Sequence, residues 1–380
     1  MRSLPRILLL CEFPELNGAE QSLLAAAGTG AQGEFDFLAA VPPAGPLAQA
    51  LDRQGIERIE FQTRDATGHA ANLASRRQQL ADLLARTQPD LLHANSISMG
   101  RLSGPVAQEL GLASLTHLRD ILTLSRQAVA DLNLHRRLLA VSEATRRFHV
   151  AQGIDPGRAA VLYNGVDLDR FCPRPAASSL YDELNLPRSA VLVGTIGQIG
   201  LRKGQDILLQ AACLLAGTRP DVHYLLVGRR CSQKDESRQF EADLRRVAVG
   251  PLAGRVHFLG LRDDVARILN ELTLLVHPAR QEPLGRVLLE AAASGAPVIA
   301  TTVGGTLEIF PPGSNTARLI PADNAPALAQ AMSDLLADAS ARLALGQAAR
   351  RRAEQAFSAP LAAAARSEER RVGKECRSRW

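Results

Sequence analysis

Short apolar runs alternate with longer amphipathic segments along almost the whole chain. In the first half, seven runs of strand length are separated by helix-length stretches such as 70–86 and 101–110. Strands of a parallel sheet are buried on both faces and are therefore nearly continuous apolar runs, with helices between them. The pattern predicts a parallel α/β sheet. The predicted strands begin at Arg6, Phe35, Ile56, Asp90, Ala113, Arg137 and Ala159.

The same alternation starts again after a segment rich in proline and serine that begins at Cys172. A strand is predicted from Ala190, and a helix over 204–215 has its apolar residues at helical spacing. Five more strands are predicted in the runs VHYLLVG, VHFLG, LTLLVHP, APVIATT and ARLIP. We therefore expect two doubly wound, Rossmann-like α/β domains facing a cleft, with ligands outside the carboxyl ends of the strands.

Two carboxylates flank the start of one predicted helix, in the stretch RQEPLGRVLLEAAASGAPVIATTVGG. Glu282 lies in the loop after a strand, and Glu290 lies inside the helix that begins at Gly285 and stops at Gly295. Free N–H groups and the helix dipole make such a start a phosphate site. Because carboxylates repel phosphate, we expect them to contact neutral hydroxyls on either side of it. A nucleotide diphosphate sugar fits this arrangement.

This E-x7-E stretch, followed by GAPVIATTVGG and Glu308, resembles the donor-binding signature of retaining GT-B glycosyltransferases of family four. The resemblance extends over the chain to Ala365. It implies that Glu290 hydrogen-bonds the nucleotide ribose and that Glu282 contacts hydroxyls of the donor sugar. The backbone amides that it implies along the phosphates are those of Leu284, Gly285 and Arg286.

A second loop, GTIGQIGLRKGQD, follows the first strand of the second half. In the resembled family this loop supplies cations to the donor diphosphate, and Lys203 stands at the usual lysine position, beside Arg202. Gln198 stands where the family often has arginine, so Arg202 is the candidate for a second cation. A dinucleotide-binding loop is the alternative, but the glycines at 194, 197 and 200 do not form GxGxxG.

The first half carries two further candidate residues. Gly18, in ELNGAEQSLL, resembles the family's glycine loop near the donor phosphates or the acceptor, although a capping turn with Asn17 as N-cap is the alternative. His117, in THLRD, matches the family histidine that contacts the donor sugar, and a structural histidine is the alternative. Asp167 and Asp169 form a D-x-D, which we interpret as a turn and not as a metal site.

The sequence therefore predicts a retaining hexosyltransferase that moves a sugar from a UDP- or GDP-linked donor to the hydroxyl of a glycan or lipid-linked acceptor. Glycan, cell-envelope or glycolipid synthesis is the expected setting, and no metal or other cofactor is expected. A nucleotide-sugar epimerase or hydrolase of the same fold, or a catalytically silent binding subunit, are the alternatives. The candidate catalytic residues are His117, Lys203 and Glu282, and the candidate donor-binding residues are Gly18, Arg202, Lys203, Glu282, Leu284, Gly285, Arg286 and Glu290.

These interpretations divide the 380 residues into five segments. An acceptor-side domain is predicted over 1–172, a linker over 173–189 and a donor domain over 190–350. Residues 351–365 are expected to be a truncated C-terminal helix. The tail 366–380 resembles a translated sequencing adapter, and the natural chain is expected to continue differently after Ala365. Acceptor loops are expected around Gly18 and 65–71.

Charge and cysteine usage narrow the expected partners and compartment. The formal net charge is +5, but the tail has six basic and three acidic residues, which leaves about +2, so we expect no nucleic-acid binding. The cysteines outside the tail show no metal or CxxC spacing, and the N-terminal apolar run is too short for a signal or a membrane span. We therefore expect a cytoplasmic protein.

Peripheral contact with the inner face of the membrane is a further hypothesis, with a solvated charged face as the alternative. It depends on a group of arginines beside the apolar residues Leu138 and Leu139. These arginines are Arg119, Arg126, Arg136, Arg137, Arg146 and Arg147.

Overall fold

The computed structural model describes residues 4–28, 35–63 and 72–365. Two compact units make up the chain: the first contains Met1–Gly165 together with the residues from Ala359 onward, and the second is Val166–Ser358. The expected acceptor loop 65–71 and the tail 366–380 lie outside the described residues.

The first unit is built on a parallel sheet of seven strands in the order β3-β2-β1-β4-β5-β6-β7. All seven strands predicted for this half are present, and the chain reverses its direction of travel across the sheet between β1 and β4, where ligands of doubly wound sheets bind. The strands are β1 (Arg6–Leu10), β2 (Asp36–Val41), β3 (Glu57–Glu60), β4 (Leu91–Ala94), β5 (Ser114–Leu118), β6 (Arg137–Ala140) and β7 (Ala159–Val161).

Helices cover both faces of this sheet, with apolar clusters on each side of it. Side-chain caps set several of their starts: Asn72 accepts the N–H of Ala74, and Ser96 accepts that of Met99. The helices are α1 (Gly18–Gly28), α2 (Pro46–Arg53), α3 (Leu73–Thr87), α4 (Ile97–Glu109), α5 (Arg126–Leu132) and α6 (Glu143–Val150).

The second unit contains a parallel sheet of six strands in the order β10-β9-β8-β11-β12-β13. The strands predicted for this half are all present, and β8 and β11 are neighbours at the point where the winding reverses. The strands are β8 (Val191–Ile196), β9 (Val222–Val227), β10 (Val256–Gly260), β11 (Leu274–His277), β12 (Val298–Thr301) and β13 (Arg318–Ile320).

The helices of the second unit bury their apolar faces on this sheet, and Leu208 and Met332 are among the fully buried residues of its core. A short 3₁₀ turn, Leu201–Lys203, precedes the second of these helices. The helices are α7 (Ser179–Glu183), α8 (Gln205–Leu215), α9 (Asp235–Val249), α10 (Val265–Glu271), α11 (Arg286–Ala293), α12 (Thr306–Ile309), α13 (Ala325–Ala337) and α14 (Ala339–Ala356).

The unit boundaries differ from the predicted domain bounds. The predicted linker 173–189 lies inside the second unit. This segment contains α7, and the backbone N–H of Leu180 in α7 donates to the Glu271 carboxylate of the same unit at 2.8 Å. The predicted helix over 351–365 is interrupted: α14 ends at Ala356, Phe357 is buried, and residues 359–365 form separate helical turns that belong to the first unit.

The structure overturns one part of the membrane hypothesis. Leu138 and Leu139 are fully buried in β6, so they cannot contact lipid. Two of the arginines nearby also make internal bonds: Arg146 Nε donates to the Ala159 carbonyl at 2.8 Å, and Arg147 Nε donates to Glu143 at 2.9 Å. Within the described ranges, no helix combines the length and the apolar character that crossing a membrane requires.

Candidate functional site

Three titratable side chains meet beyond the carboxyl ends of β8 and β11. Glu282, in the loop after β11, is only 5% exposed, and its Oε2 accepts a hydrogen bond from His277 Nε2 at 2.8 Å. The same oxygen accepts a hydrogen bond from Lys203 Nζ, which lies at the end of the 3₁₀ turn after β8. The carboxylate therefore links residues that follow or end β8 and β11, the neighbouring strands between which the winding of the sheet reverses.

The charges of this cluster follow from burial and from its contacts. Burial opposes ionisation of Glu282, but Lys203 and His277 together outweigh it and hold the pKa of Glu282 well below its usual range. Burial lowers the pKa of His277, and its hydrogen bond with Glu282 only partly opposes this effect. The imidazole is therefore neutral at pH 7 and donates its Nε2–H to the carboxylate.

Lys203 keeps donor capacity for a ligand. An ammonium group has three N–H donors, and Glu282 uses one of them. The side chain of Lys203 is 15% exposed, so its head is shielded from most of the solvent without being sealed in. An anion that reaches Lys203 can accept its other hydrogen bonds at a partly desolvated charge, where such bonds are strong.

The N-terminus of α11 lies in the same loop as Glu282. Gly285 is its N-cap residue, with φ of 98°, and it supplies no side chain that could cap the first turn. A Cβ at this position would lie 2.7 Å from Leu288 Cδ1, so both the backbone conformation and the space require glycine. The prediction of a helix that begins here is confirmed, and Gly295, with φ of 66°, follows its end as expected.

Glu290 lies one turn inside α11 and is mostly buried. Arg286, one turn before it, donates from Nε to Glu290 Oε1 at 2.7 Å, the spacing at which helical side chains meet. From the sequence, Arg286 was expected to act through its backbone amide only. The structure adds a side-chain role, because the guanidinium orients the carboxylate expected to contact ribose.

Two residues missed by the sequence analysis join the cationic loop to the loop of Glu282. Arg280 donates to both carboxylate oxygens of Asp206, at 2.8 and 2.6 Å, and its backbone N–H donates to the carbonyl of Arg202 at 2.9 Å. The 3₁₀ turn that carries Lys203 is thereby fixed against the end of β11. Asp206 stands three residues after Lys203 and Arg280 two residues before Glu282, but that spacing does not indicate that the two side chains pair.

A glycine turn after β12 supports the same loop from another side. The N–H of Gly305 donates to the carbonyl of Glu282 at 2.9 Å. A Cβ on Gly305 would lie 2.3 Å from the carbonyl oxygen of Pro283, so this close approach is open to glycine alone. Gly305 therefore positions Glu282 through the backbone.

The other two candidate residues belong to the first unit. Gly18 is the first residue of α1, directly after Asn17. His117 is fully buried in β5 and stacks on His93 of β4, with ring centroids 4.9 Å apart. His93 was not among the residues predicted from the sequence, although both histidines lie within predicted strands. Lys203, Arg202, Glu282, Leu284, Gly285, Arg286 and Glu290 all lie in the second unit.

The D-x-D motif has the turn role that was predicted. Asp167 Oδ1 accepts the backbone N–H groups of Asp169 at 3.0 Å and Arg170 at 2.9 Å. Gln198, which stands at the variable cationic position, has an exposed side chain.

Two family models match the chain. The model described as Glycosyltransferase Family 4 matches residues 16–170, and the model described as Glycosyl transferases group 1 matches residues 190–338. The two matches thus fall on the two halves that the sequence pattern separates.

Curated relatives include enzymes of glycolipid and lipopolysaccharide synthesis. The lipopolysaccharide core biosynthesis mannosyltransferase LpsB of Rhizobium meliloti is 31% identical over 257 residues, which are 61% of this chain and 72% of LpsB. A GDP-mannose-dependent monoacylated phosphatidylinositol monomannoside mannosyltransferase of Corynebacterium glutamicum is 29% identical over 299 residues, which are 73% of this chain and 75% of the relative.

Solved structures show the same fold. HepE of Anabaena, in complex with UDP and glucose, superposes with a TM-score of 0.84 at 24% identity over 96% of this chain and 98% of HepE. WaaG, a glycosyltransferase of lipopolysaccharide biosynthesis, superposes with a TM-score of 0.73 at 22% identity over 94% of this chain and 98% of WaaG. The predicted fold class, two doubly wound α/β domains of the GT-B type, is confirmed.

Proposed function

Because the chain belongs to the glycosyltransferases of family 4, group 1, we propose that it transfers a sugar from a UDP- or GDP-linked donor to an acceptor hydroxyl with retention of configuration. The observation that carries this proposal is the buried cluster of Lys203, Glu282 and His277 beside the N-terminus of α11. It combines a cation, a helix start and a carboxylate, which suit a diphosphate linked to a sugar.

The diphosphate would accept hydrogen bonds from Lys203 and from the first amides of α11, with Arg202 as a further cation. A hydrogen bond to an ionised group contributes about 1.5–3 kcal/mol, more than the 0.3–1 kcal/mol typical of a helix dipole. Negative charge on the phosphate grows as the sugar departs. These donors therefore stabilise the transition state more than the bound substrate, which is the condition for catalysis.

The carboxylates would bind the two neutral ends of the donor. Glu282, kept ionised by Lys203 and His277, accepts hydrogen bonds from sugar hydroxyls, and Glu290, held by Arg286, accepts them from ribose. The resemblance also assigns His117 to contact with the donor sugar and Gly18 to the donor phosphates or the acceptor, and both assignments stay part of the proposal. The leaving phosphate takes the proton of the acceptor hydroxyl, and the cations of the loop make a metal ion unnecessary.

The names of the relatives indicate which donors and acceptors to assay first. LpsB and the Corynebacterium enzyme are mannosyltransferases of envelope lipids, and the HepE structure contains UDP and glucose. We therefore propose a glycan or lipid-linked acceptor, with GDP-mannose and UDP-glucose as the first donors for assay. A cytoplasmic location with peripheral membrane contact stays part of this proposal, carried by the exposed arginines Arg126 and Arg136.

Substitution of Lys203, expected at the phosphates, and of Glu290, expected at the ribose, tests the donor site. In Lys203→Ala and Glu290→Ala, we expect the affinity for UDP or GDP, measured by calorimetry, to fall tenfold or more, because each change removes a hydrogen bond that involves a charged group. Lys234→Ala, which changes an exposed lysine before α9, is the matched control and should bind as the unsubstituted protein does.

Turnover separates the proposed activity from its alternatives. An unchanged donor KM and unchanged kcat in Glu290→Ala would contradict the ribose assignment. Full turnover with water in place of an acceptor would indicate a hydrolase of the same fold. Absence of nucleotide binding in the unsubstituted chain would indicate a silent subunit. Gln198 favours this alternative, because the family often has arginine at that position.

A further inference from the structure

His277 belongs to the buried cluster but has no contact with substrate in the proposed function. It is the last residue of β11, a strand that lies between β8 and β12, and it pairs in the sheet with Ala300. Its side chain is only 2% exposed. Close packing around a buried side chain on an inner strand leaves it little room to move. The imidazole is therefore a fixed point beside Glu282.

The two carboxylate oxygens of Glu282 have different surroundings. Oε2 accepts hydrogen bonds from His277 Nε2, at 2.8 Å, and from Lys203 Nζ. Oε1 accepts none from any described residue, and it is not among the buried polar atoms that lack a partner, so it reaches accessible space. A Cβ on Gly285, the N-cap residue of α11, would lie 3.3 Å from Glu282 Cγ. The side chain with the accessible oxygen is therefore next to the start of this helix.

The two partners of Oε2 respond differently to an anion. Lys203 carries its charge on a flexible four-carbon stem, so a phosphate at the start of α11 competes with Glu282 for its ammonium group. His277 is short, buried and neutral at pH 7, because burial lowers its pKa. A neutral N–H is attracted to phosphate far less than an ammonium is. His277 is therefore the partner that keeps Glu282 in place when Lys203 binds a diphosphate.

We propose that His277 is a positioning residue for the donor sugar: it holds Glu282 by Oε2 and thereby directs Oε1 to the sugar hydroxyls. This inference rests on the proposed function and adds to it the residue on which the sugar contact depends. His277 itself touches neither sugar nor phosphate. Without its N–H, Glu282 would be held by Lys203 alone and would turn with it toward the diphosphate. The sugar hydroxyl would then meet a displaced oxygen, and hydrogen bonds weaken steeply with poor geometry.

Two substitutions separate positioning from packing. His277→Gln keeps the donor, because Nε2 of glutamine lies the same number of bonds from Cβ as Nε2 of histidine and also carries hydrogen. His277→Leu fills much of the same volume with an apolar group and removes the donor. If His277 only packed in the core, leucine would replace it at least as well as glutamine does.

The test is calorimetric binding of UDP, UDP-glucose, GDP and GDP-mannose to the full chain. For the nucleotide that the unsubstituted protein binds, the quantity compared is the Kd of the nucleotide sugar divided by the Kd of the nucleotide. In His277→Leu we expect this ratio to rise about tenfold or more, because a hydrogen bond from the sugar to a charged group is lost. The Kd of the nucleotide alone should change less than about threefold, and His277→Gln should keep the ratio within about threefold.

His257→Leu is the matched control, since His257 is a partly exposed histidine at the start of β10, at the opposite edge of the same sheet from the cluster. It should leave the ratio unchanged. An unchanged ratio in His277→Leu would overturn the inference. So would an equal weakening of nucleotide and nucleotide sugar, or equal ratios in the leucine and glutamine variants, because both results indicate a role in the fold alone.

A crystal structure of the unsubstituted chain with its nucleotide sugar decides the case even where His277→Leu does not fold. We expect His277 Nε2 to stay bonded to Glu282 Oε2, with a sugar hydroxyl on Oε1. A sugar hydroxyl on Oε2, or a broken bond to His277, would overturn the inference. If the unsubstituted chain bound neither nucleotide, the proposed function itself would fail, whereas intact sugar transfer with an unchanged ratio in His277→Leu would contradict the positioning role alone.

Discussion

Glu282 accepts hydrogen bonds from an ammonium and from an imidazole at one oxygen, in a site from which water is largely excluded. Removing one member of a buried ion pair leaves the other charge without compensation, which is more costly than the pair itself is stabilising. Glu282 therefore serves the fold and the proposed chemistry together. Its ionisation should be visible in the stability of the protein.

We expect Glu282→Gln to lower the free energy of unfolding by about 3 kcal/mol at pH 7. The native pKa of Glu282 is depressed, so the carboxylate contributes its full stability above its unfolded pKa of about 4.3 and loses it as the pH falls toward the native pKa. The difference between the unsubstituted protein and the variant should therefore shrink below about pH 4.3.

Urea unfolding at a series of pH values measures this difference. Glu236→Gln, which changes an exposed glutamate in the first turn of α9, should differ from the unsubstituted protein by no more than about 0.5 kcal/mol. A loss in Glu282→Gln that is equally large at pH 3 and pH 7 would show that ionisation of Glu282 is not its origin.

At the scale of elements, the sequence predicted which segments are strands better than it predicted where helices begin. Apolar runs such as LTLLVHP specify buried strands because both faces of the sheet are covered. The start of α4 was predicted too late, at 101 in place of Ile97, in a segment where Gly100 and Gly104 weaken the helical pattern. In the fold these glycines admit neighbouring groups: a Cβ on Gly104 would lie 2.1 Å from the Asp131 carbonyl oxygen of α5.

The site shows the same division between local and non-local information. Glu282, Glu290, Gly285 and Lys203 could be identified because each lies within a short motif next to a strand or helix end. His277, Arg280 and Asp206 could not, because their roles depend on which loops of different strands become neighbours. Spacing along the chain carries no such information.

The glycine turn after β12 gives an element-scale prediction. In Gly305→Ala the new Cβ would meet Pro283 O at 2.3 Å and Leu284 Cα at 2.7 Å, so the loop of Glu282 must move. We expect the kcat/KM for transfer to fall about tenfold or more, because a shift of 1 Å in a positioned group is that costly. Gly217→Ala is the control, since a Cβ there meets no atom within 4 Å, and equal kcat/KM in the two variants would contradict the positioning role.

At the scale of the whole molecule, the chain places its phosphate-binding candidates in one unit and its expected acceptor loop near Gly18 in the other. Lys203, Glu282 and the start of α11 belong to Val166–Ser358, whereas Gly18 belongs to the unit that begins at Met1. Each unit has its own sheet and its own buried core. Nucleotide and acceptor should therefore leave separate footprints on backbone protection.

Hydrogen exchange with mass spectrometry resolves these footprints. A ligand that binds the native state raises the free energy of opening by about 2.7 kcal/mol at a hundredfold excess over its Kd, and amides that only the bound unit protects show the increase. With UDP or GDP alone, we expect slower exchange in peptides covering 201–206 and 280–290, and no change in peptides covering β4. Lys203→Ala should remove the effect at the same nucleotide concentration. Protection confined to the first unit would mean that the nucleotide binds away from Lys203 and α11, and the assignment of the donor site would then be wrong.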